Sequence, residues 1–417
     1  MDILFLTDNF PPETNAPATR TLEHTKRWVA AGHRVTVITG VPNFPSGKVH
    51  AGYRNRLWQE ENVDNVHVIR VWTYITANEG FLKRTLDYMS FMITGGLAGL
   101  FAKRPDVIIA TSPQFFTALG GCLLAIVRRR PFIFELRDLW PDSISAVGAM
   151  QEGLVLRFLR RVEYWLYRRA TRIVSVTHSF RDVLVHNGIP KEKIDVVPNG
   201  VDPEDFTPGP KSVDLEQRLG LTGKFVAAYV GTIGMAHGLN TILDAAEYLT
   251  EREDIAFVLV GTGAEHLRLE AEARTRGLTN VHFVGAVSKN AVKDYWRLCD
   301  VALVLLRDLP LFQHVIPSKL FEAWGTGKPV ILGVRGESAT VVEACHGGLT
   351  IPPENTGALV DAIVQLANRP QRASEMGLAA REYVKRDYTR ECLAAGMLDI
   401  LESATGHGQR RGRSRRA

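Results

Sequence analysis

Short runs rich in Val and Ile alternate with helical stretches along this chain, and the alternation restarts once. In the first half these runs are residues 3–6, 35–38, 66–71, 107–110, 132–134 and 173–176. After residue 220 they are residues 225–230, 256–260, 281–284, 301–306 and 330–332. Apolar strands separated by helices are typical of a parallel sheet that is covered on both faces. The pattern predicts an α/β chain with two doubly wound, Rossmann-like parallel sheets in succession.

Residues 197–203 separate the two halves and read Val-Pro-Asn-Gly-Val-Asp-Pro, a turn-rich linker without helical period. We therefore expect a first domain over residues 1–198 and a second over 199–385. A helix at 386–402 is expected to return to the first domain, and the basic segment 403–417 is expected to be disordered. In doubly wound sheets ligands bind at the carboxyl ends of the strands, so two facing domains predict one site for each partner of a transfer reaction.

The cysteines and the apolar runs of the chain argue against several classes of protein. Cys122, Cys299, Cys345 and Cys392 lie far apart without a CxxC pair, which argues against a disulfide framework or a zinc site and fits a reducing cytoplasm. The first residues lack the basic start and long apolar region of a signal peptide. The longest apolar run, 89–102, is shorter than the ~20 residues that span a bilayer. We expect a cytoplasmic protein without a membrane-spanning segment.

Charge is distributed unevenly along the chain. Basic residues outnumber acidic ones over 1–200 and 403–417, whereas acidic residues predominate over 201–402. This favours an anionic membrane surface as the partner of the first domain, and the stretch 154–173 interleaves arginine with Leu, Phe, Tyr and Trp as an interfacial helix would. Scattered surface charge, or a helix that buries its aromatic face, would give the same pattern. No nucleic-acid motif accompanies the basic tail, so no specific nucleic acid is expected.

The segment 316–331 carries residues suited to a nucleotide diphosphate. Pro317-Ser318 predicts a helix start, Lys319 lies in the first turn, and Glu322 follows one turn later on about the same face. Free N–H groups and a lysine can hold a diphosphate, and a carboxylate can accept hydrogen bonds from both ribose hydroxyls. An ordinary helix start with a solvated glutamate is the alternative.

This segment resembles the donor-site signature of the retaining GT-B glycosyltransferases of family four, which is a glutamate, seven residues, a second glutamate with alanine, and then Gly-x-Pro-Val. Glu322-Ala323 and Gly327-Lys328-Pro329-Val330 match the second half, whereas His314 stands at the position of the first glutamate. Further matches lie at residues 10–13, 32–39, 199–202, 261–263 and 281–285. The resemblance implies a GT-B fold, with two facing Rossmann-like domains and an interdomain cleft, and transfer of a glycosyl group with retention of configuration.

The loop 229–238 departs from the family pattern. Relatives often carry an arginine after its first glycine and a lysine before its last, where Thr232 and His237 stand here. The resemblance then leaves the diphosphate to Lys319, to backbone amides and to His237, unless His237 is an ordinary loop histidine. The donor-binding residues that the resemblance implies are Gly231, Thr232, Gly234, His237, Gly261, Gly263, Val284, His314, Ser318, Lys319 and Glu322.

Arg137 and Asp138 follow the run that begins at residue 132, at the carboxyl edge of the first sheet. Relatives often have a His-Asp pair here that contacts the reacting sugar or its phosphate. The resemblance therefore implies that Arg137 stabilises the leaving diphosphate and makes Arg137, Asp138 and Lys319 the catalytic candidates. A buried ion pair of Arg137 with Asp138 or Asp142 is the alternative.

Residues 42–48 and 137–143 most resemble the branch that adds N-acetylated amino-deoxy sugars, such as N-acetylfucosamine, in O-antigen and capsule assembly. This implies a UDP-sugar donor, a lipid-linked saccharide acceptor contacted by Glu13, Asn15 and Arg20, and a peripheral position at the inner face of the cell membrane. The chain has no DxD motif, so we expect neither a metal nor a cofactor.

Other classes fit less well. Gly261-Thr262-Gly263 could begin a dinucleotide-binding motif, but His266 stands at the position of its third glycine. A sugar-nucleotide epimerase shares the two-domain arrangement, and a non-catalytic protein that binds nucleotide sugars would share the donor residues.

Overall fold

The computed structural model describes residues 1–44, 47–76, 81–141, 143 and 153–406, and it divides into two compact units. The first unit comprises Met1–Pro198 together with Arg390–Ala417, and the second comprises Asn199–Thr389. Residues 407–417 of the basic tail lie outside the described residues. The chain thus leaves the first unit after Pro198 and returns to it at Arg390.

The described part of the first unit holds an eight-stranded sheet in the order β3-β4-β2-β1-β5-β6-β7-β8. Its strands are β1 (Asp2–Leu6), β2 (Arg34–Gly40), β3 (Trp58–Val63), β4 (Val66–Val71), β5 (Val107–Thr111), β6 (Phe132–Leu136), β7 (Arg172–Ser175) and β8 (Ile194–Val196). All pairings are parallel except that between β3 and β4. The turn between those two strands is Asp64-Asn65, both with positive φ, as a two-residue hairpin requires.

Helices cover this sheet. They are α1 (Ala16–Ala30), α2 (Phe81–Phe101), α3 (Phe115–Arg128), α4 (Leu154–Arg169), α5 (His178–His186) and, from the end of the chain, α14 (Arg390–Thr405). Helix α14 packs on α1, and the indole Nε1 of Trp28 donates to the carbonyl of Ala394 at 2.9 Å. Leu393, Met397 and Leu401 join the core cluster that contains Ile3 and Phe5 of β1. The last helix is therefore an integral part of the first core.

Within the described residues, the second unit has a six-stranded parallel sheet in the order β11-β10-β9-β12-β13-β14. Its strands are β9 (Phe225–Val230), β10 (Ile255–Val260), β11 (Val281–Gly285), β12 (Val301–Leu305), β13 (Val330–Gly333) and β14 (Gly348–Thr350). Its helices are α6 (Val213–Leu219), α7 (Asn240–Tyr248), α8 (His266–Thr275), α9 (Lys289–Leu298), α10 (Lys319–Gly325), α11 (Glu337–Cys345), α12 (Thr356–Ala367) and α13 (Pro370–Asp387).

Strand β9 lies at the centre of the second sheet and fixes where a ligand is expected. Val226 and Ala228 belong to one hydrophobic cluster, whereas Ala227 and Tyr229 belong to another. Because side chains alternate along a strand, the sheet is buried on both faces. The order of strands reverses at β9, between β10 and β12. Ligands of doubly wound sheets bind at such a switch point, so the loop after β9 is the expected site.

Candidate active site

The loop that follows β9 packs closely against the loop that follows β10. The amide of Gly231 donates to the carbonyl of Val260, and that of Ile233 donates to Thr262, each at 2.9 Å. A Cβ on Gly261 would lie 1.9 Å from the carbonyl oxygen of Gly231, and a Cβ on Gly263 would lie 2.3 Å from that of Ile233. Both glycines also have positive φ. Gly261 and Gly263 are therefore required because they let the two loops meet.

Lys319, the first residue of α10, contacts the loop that follows β9. Its Nζ lies 3.7 Å from the centroid of the Tyr229 ring, within the range of a cation–π contact. A Cβ on Gly231 would be 3.0 Å from the same Nζ. The Nζ atom is buried and has no hydrogen-bond partner among the described residues. Burial lowers the pKa of Lys319 to about 7, although Glu322 raises it in part. An unpaired buried cation beside a glycine fits an anionic ligand.

His237 lies in the same loop but brings no charge to it. Burial and, to a smaller extent, the positive charge of Lys319 lower the pKa of His237 to about 3. The ring makes a hydrogen bond with the backbone of Leu305, and its Nδ1 is buried without a partner in the described part of the chain. The ring also meets Tyr229 edge-on, with centroids 5.8 Å apart. A neutral imidazole can exchange a hydrogen bond with a phosphate, but it cannot balance its charge.

Glu322 lies one turn after Lys319 and is half-buried. Its Oε2 accepts from the indole Nε1 of Trp296 at 3.2 Å. Trp296 itself is fully buried in α9, so it holds the carboxylate in one orientation. No sequence pattern indicates this contact, because a tryptophan in an amphipathic helix usually packs only in the core.

The other predicted donor residues occupy the loops around this position. Thr232 accepts at its carbonyl from the Tyr229 hydroxyl at 2.6 Å, and Ser318 immediately precedes α10 without a side-chain cap. His314 ends the short 3-10 turn Pro310–His314, and its Nδ1 is buried without a partner among the residues described. Val284 is in β11, and Gly234 immediately precedes the 3-10 turn Met235–His237. These roles remain predictions.

Arg307 is a cation beside the loop that sequence reasoning missed. Its amide donates to the carbonyl of Ala236 at 3.0 Å, and its Cγ would lie 3.6 Å from a Cβ on Gly238. Its Nε is 3.9 Å from a carboxylate oxygen of Glu354. The available signal was its position, since it follows β12 at the carboxyl edge of the sheet.

In the first unit, Arg137 belongs to a buried charged network. Arg20 Nε donates to Glu135 Oε1 at 2.8 Å. Burial raises the pKa of Glu135, but Arg20 and Arg137 outweigh it and hold that pKa at about 2. Burial lowers the pKa of Arg137 to about 10, and its Nη1 is buried without a hydrogen-bond partner among the described residues. Arg137 thus lies at the carboxyl end of β6, and its Nη1 group is available to donate a hydrogen bond.

Asp138 follows Arg137 and is also largely buried. Burial raises the pKa of Asp138, which a hydrogen bond from Ser143 partly offsets. No ion pair joins Arg137 to Asp138 in the residues that the structure describes. Asp142, the other predicted partner, lies outside the described residues. The catalytic roles of Arg137 and Asp138 remain predictions.

The three predicted acceptor residues make contacts within the first unit. Glu13 Oε1 accepts from the amides of Asn43 and Phe44, at 2.9 and 2.8 Å. Asn15 caps α1 by accepting from the amide of Ala18 at 3.0 Å. Arg20, besides its ion pair, donates to the carbonyls of Pro198 and Val197 at 2.6 and 2.8 Å. Each residue thereby shapes the loops at the carboxyl edge of the first sheet, and its contact with an acceptor stays a prediction.

A group of carboxyls near the end of β1 was also missed. Burial raises the pKa of Asp8 well above its usual range, and the nearby charges of Asp87 and Glu13 raise it further. Burial also raises the pKa of Asp87, to about 7. Gln114 makes a hydrogen bond with Asp8. Carboxyls with perturbed pKa values at the functional edge of a sheet are candidates for acid-base catalysis. The available sequence signal was the position of Asp8, two residues after the end of β1.

In the described residues, no group of three His, Cys, Asp or Glu side chains is arranged to hold a metal ion. Over the same residues, no helix is both long and apolar enough to cross a membrane.

Comparisons with known proteins cover nearly the whole chain. Residues 15–200 match the family model of the glycosyl transferase 4-like domain, and residues 214–383 match that of glycosyl transferases group 1. The putative colanic acid biosynthesis glycosyl transferase WcaI of Escherichia coli (strain K12) is 27% identical over 403 residues, which cover 94% of this chain and 97% of WcaI. The D-rhamnosyltransferase WbpZ of Pseudomonas aeruginosa is 30% identical over 241 residues, 57% of this chain and 58% of WbpZ.

Solved structures show the same fold. Sucrose-phosphate synthase from Thermosynechococcus elongatus has a TM-score of 0.79 at 18% identity, over 97% of this chain and 99% of that one. Anabaena HepE, in complex with UDP and glucose, has a TM-score of 0.74 at 18% identity, over 96% and 99%. The predicted GT-B fold, with two parallel-sheet α/β domains, is confirmed. The matches do not favour the epimerase or the non-catalytic alternative.

Proposed function

We propose that this chain, which is a glycosyltransferase of the GT-B fold, moves a sugar from a UDP-sugar to a lipid-linked saccharide in cell-envelope polysaccharide synthesis. The observation that carries the donor assignment is the buried, unpartnered Nζ of Lys319 beside Gly231. The likeness to WcaI along 94% of the chain supports the polysaccharide setting, and UDP in HepE supports the nucleotide. An N-acetylated amino-deoxy sugar and retention of configuration are part of the proposal.

In this proposal the diphosphate lies against the loop that begins at Gly231, where it pairs with Lys319. The carboxylate of Glu322, held by Trp296, accepts hydrogen bonds from the ribose hydroxyls. As the bond to the sugar breaks, negative charge grows on the departing UDP. A cation already fixed beside it stabilises that charge without reorganisation. Lys319 is therefore expected to act more strongly on the transition state than on the bound donor.

In the first unit we assign Arg137 and Asp138 to the reacting sugar or its phosphate, with Arg137 stabilising the leaving diphosphate. The spare Nη1 donor of Arg137 lies at the carboxyl end of β6, where ligands of doubly wound sheets bind. A guanidinium suits a phosphate because it can donate two parallel hydrogen bonds. His314 stands where family-four enzymes carry the glutamate that contacts the transferred sugar, so we propose that this imidazole contributes to sugar selection.

We further propose that the enzyme works at the cytoplasmic face of the membrane as a peripheral protein. Helix α4 buries Leu156, Leu166 and Tyr167 but exposes Leu154 and Phe158, together with several of its arginines. An exposed apolar edge flanked by arginines is typical of a helix at an anionic interface. A lipid-linked acceptor would be met at that surface.

The test combines donor binding with transfer. Native mass spectrometry with UDP-, GDP- and dTDP-sugars should show selective binding of UDP-sugars, and the bound sugar should pass to lipid-linked saccharides from cell-envelope synthesis. Lys319→Met should abolish transfer and weaken UDP binding, whereas Lys289→Met, which removes an exposed lysine of the same unit, should leave both intact. Equal UDP binding and turnover in Lys319→Met and wild type would refute the donor assignment.

A further inference from the structure

A pocket of about 240 Å³ opens in the first unit, away from the candidate active site. It lies where α3 and α4 end and where β6 and β7 begin, and its walls include Arg129, Arg130 and Arg169 together with Ile126 and Phe132. Arg137 follows the opposite end of β6. Five residues of strand at about 3.3 Å each place the two edges roughly 17 Å apart. The pocket is therefore separate from the catalytic edge.

The three arginines give this pocket a positive charge that the protein does not neutralise. None of them forms an ion pair with a carboxylate among the described residues, and the buried Nε of Arg130 has no hydrogen-bond partner there. Two helix C-termini face the same region, and each carries about half a negative charge. Together the two helix C-termini offset only about one of the three positive charges of the arginines. The arginines exceed what helix capping needs, so the pocket remains cationic.

Guanidinium groups suit oxyanions such as phosphate by their geometry. Each presents N–H donors in a planar fork that matches two phosphate oxygens. The lining also includes the buried apolar side chains of Phe132 and Cys122. An anion held there would be partly shielded from water, which strengthens each charged hydrogen bond. Three guanidinium groups around one small pocket therefore fit a phosphate group, which offers several oxygens as acceptors.

The surface around the pocket indicates what kind of molecule would carry that phosphate. Leu123, Ile126 and Val127 share one exposed face of α3, and Val127 is 67% exposed. Helix α2 packs beside α3 and exposes Leu97 and Phe101, the latter at 81%. A cluster of exposed apolar side chains marks an interaction surface. Apolar side chains beside unpaired arginines are complementary to the acyl chains and phosphates of an anionic bilayer.

We propose that this pocket binds the phosphate of an anionic phospholipid and that the exposed faces of α2 and α3 enter the bilayer around it. The inference rests on the proposed work at a membrane and gives it a defined site. The arginine pocket would fix the distance between the bilayer and the first unit, because a headgroup phosphate lies at a set depth. Helix α4 contributes Arg169 to the pocket.

The test measures binding to vesicles of phosphatidylcholine alone and of phosphatidylcholine with an equal part of phosphatidylglycerol. The variant combines Arg129→Asn, Arg130→Gln and Arg169→Gln. Arg129 has φ 54°, a conformation that asparagine tolerates well, so this change removes charge without straining the backbone. Each basic side chain near an anionic surface contributes about 1 kcal/mol, so the variant should bind anionic vesicles roughly 100-fold more weakly.

The matched control removes the same charge from the second unit by Arg218→Gln, Arg369→Gln and Arg372→Gln, all at exposed positions. It should retain wild-type binding to anionic vesicles. Equal loss in both variants would overturn the proposal, because it would show that net charge and not the pocket governs binding. Equal binding by the pocket variant and wild type would overturn it too.

Further readouts separate this inference from the proposed function. UDP titration should give the same affinity in all three proteins. Wild type that binds UDP but no anionic vesicles would overturn both the pocket and the membrane location while leaving glycosyl transfer standing. Inorganic phosphate that binds wild type and not the pocket variant, without vesicle binding, would identify a soluble phosphate as the occupant. A dimer that dissociates in the pocket variant would identify a second copy. Either result overturns the proposal.

Discussion

The pKa of Lys319 leads to a sharp prediction for donor binding. In the free protein burial holds this pKa at about 7, against the usual 10.5. A diphosphate beside Nζ favours the charged form and raises the pKa again. Above pH 7 most molecules must therefore take up a proton to bind UDP. Between about pH 7 and about pH 8.5 the charged fraction falls roughly 15-fold, so the affinity for UDP should fall by the same factor, or about 1.6 kcal/mol.

The assay is calorimetric titration of UDP across this pH range in buffers of different ionisation enthalpy. The buffer dependence of the measured heat counts the protons taken up. Phosphate has its second pKa near 6, so the charge of the nucleotide is nearly constant over the range. Wild type should take up close to one proton per UDP at about pH 8.5.

Two variants isolate the lysine. Lys319→Arg keeps its charge at every pH of the assay, so its UDP affinity should not change with pH. Lys319→Met should bind UDP weakly and also without a pH slope. The reasoning fails if wild type shows no proton uptake, or if the same slope persists in Lys319→Met.

Four further predictions follow from the same structure. Glu322→Ala should lower UDP affinity by one to two orders of magnitude, since a charged hydrogen bond contributes about 1.5–3 kcal/mol; calorimetry with circular dichroism checks this, and wild-type affinity would show that the ribose binds elsewhere. Activity should survive EDTA, because no DxD motif is present; loss that Mg²⁺ restores would contradict this. Reversing Arg160, Arg161 and Arg168 to glutamate should weaken binding to anionic but not neutral liposomes, and unchanged binding to both would count against α4. Lys319→Met should raise the melting temperature of the free protein most below pH 7, where the lysine is charged in both the folded and the unfolded state and its burial is costly. The gain should fade as pH rises from the folded-state pKa of about 7 towards the unfolded-state pKa near 10.5. A gain that does not change with pH would contradict this.

The fold was largely predictable because its central strands are buried on both faces and therefore read as continuous apolar runs. The strands that sequence analysis missed lie at sheet edges. Strand β3 has the sequence Trp-Gln-Glu-Glu-Asn-Val and alternates between exposed and half-buried positions. Strands β8 and β14 have three residues each. An edge strand can have side chains buried on only one face or on neither, so its composition does not distinguish it from a loop.

The sequence predicts the local spacing of the candidate residues but not the electrostatics around them. The sequence placed Lys319 and Glu322 one turn apart, and local helical spacing suffices for that. Tyr229 and Trp296, which contact them, are distant in the chain and look like any buried aromatic residue. Burial also changes the expected role of His237, because a pKa of about 3 leaves it neutral. Desolvation depends on the packed neighbours, which no local pattern specifies.

The loop 229–238 has neither of the two cations that relatives often carry there, and Lys319 is the buried cation beside it. Lys319 approaches Gly231 through the space that the missing side chain leaves, and it rests on the Tyr229 ring. A permanently charged arginine in this buried position would destabilise the free enzyme at every pH. A lysine with a pKa of about 7 loses that charge easily when no diphosphate is present. The same property makes UDP binding depend on proton uptake. Compared with a permanently charged site, a site with one titratable cation is therefore more stable when it is empty, and it binds UDP more weakly in alkaline solution.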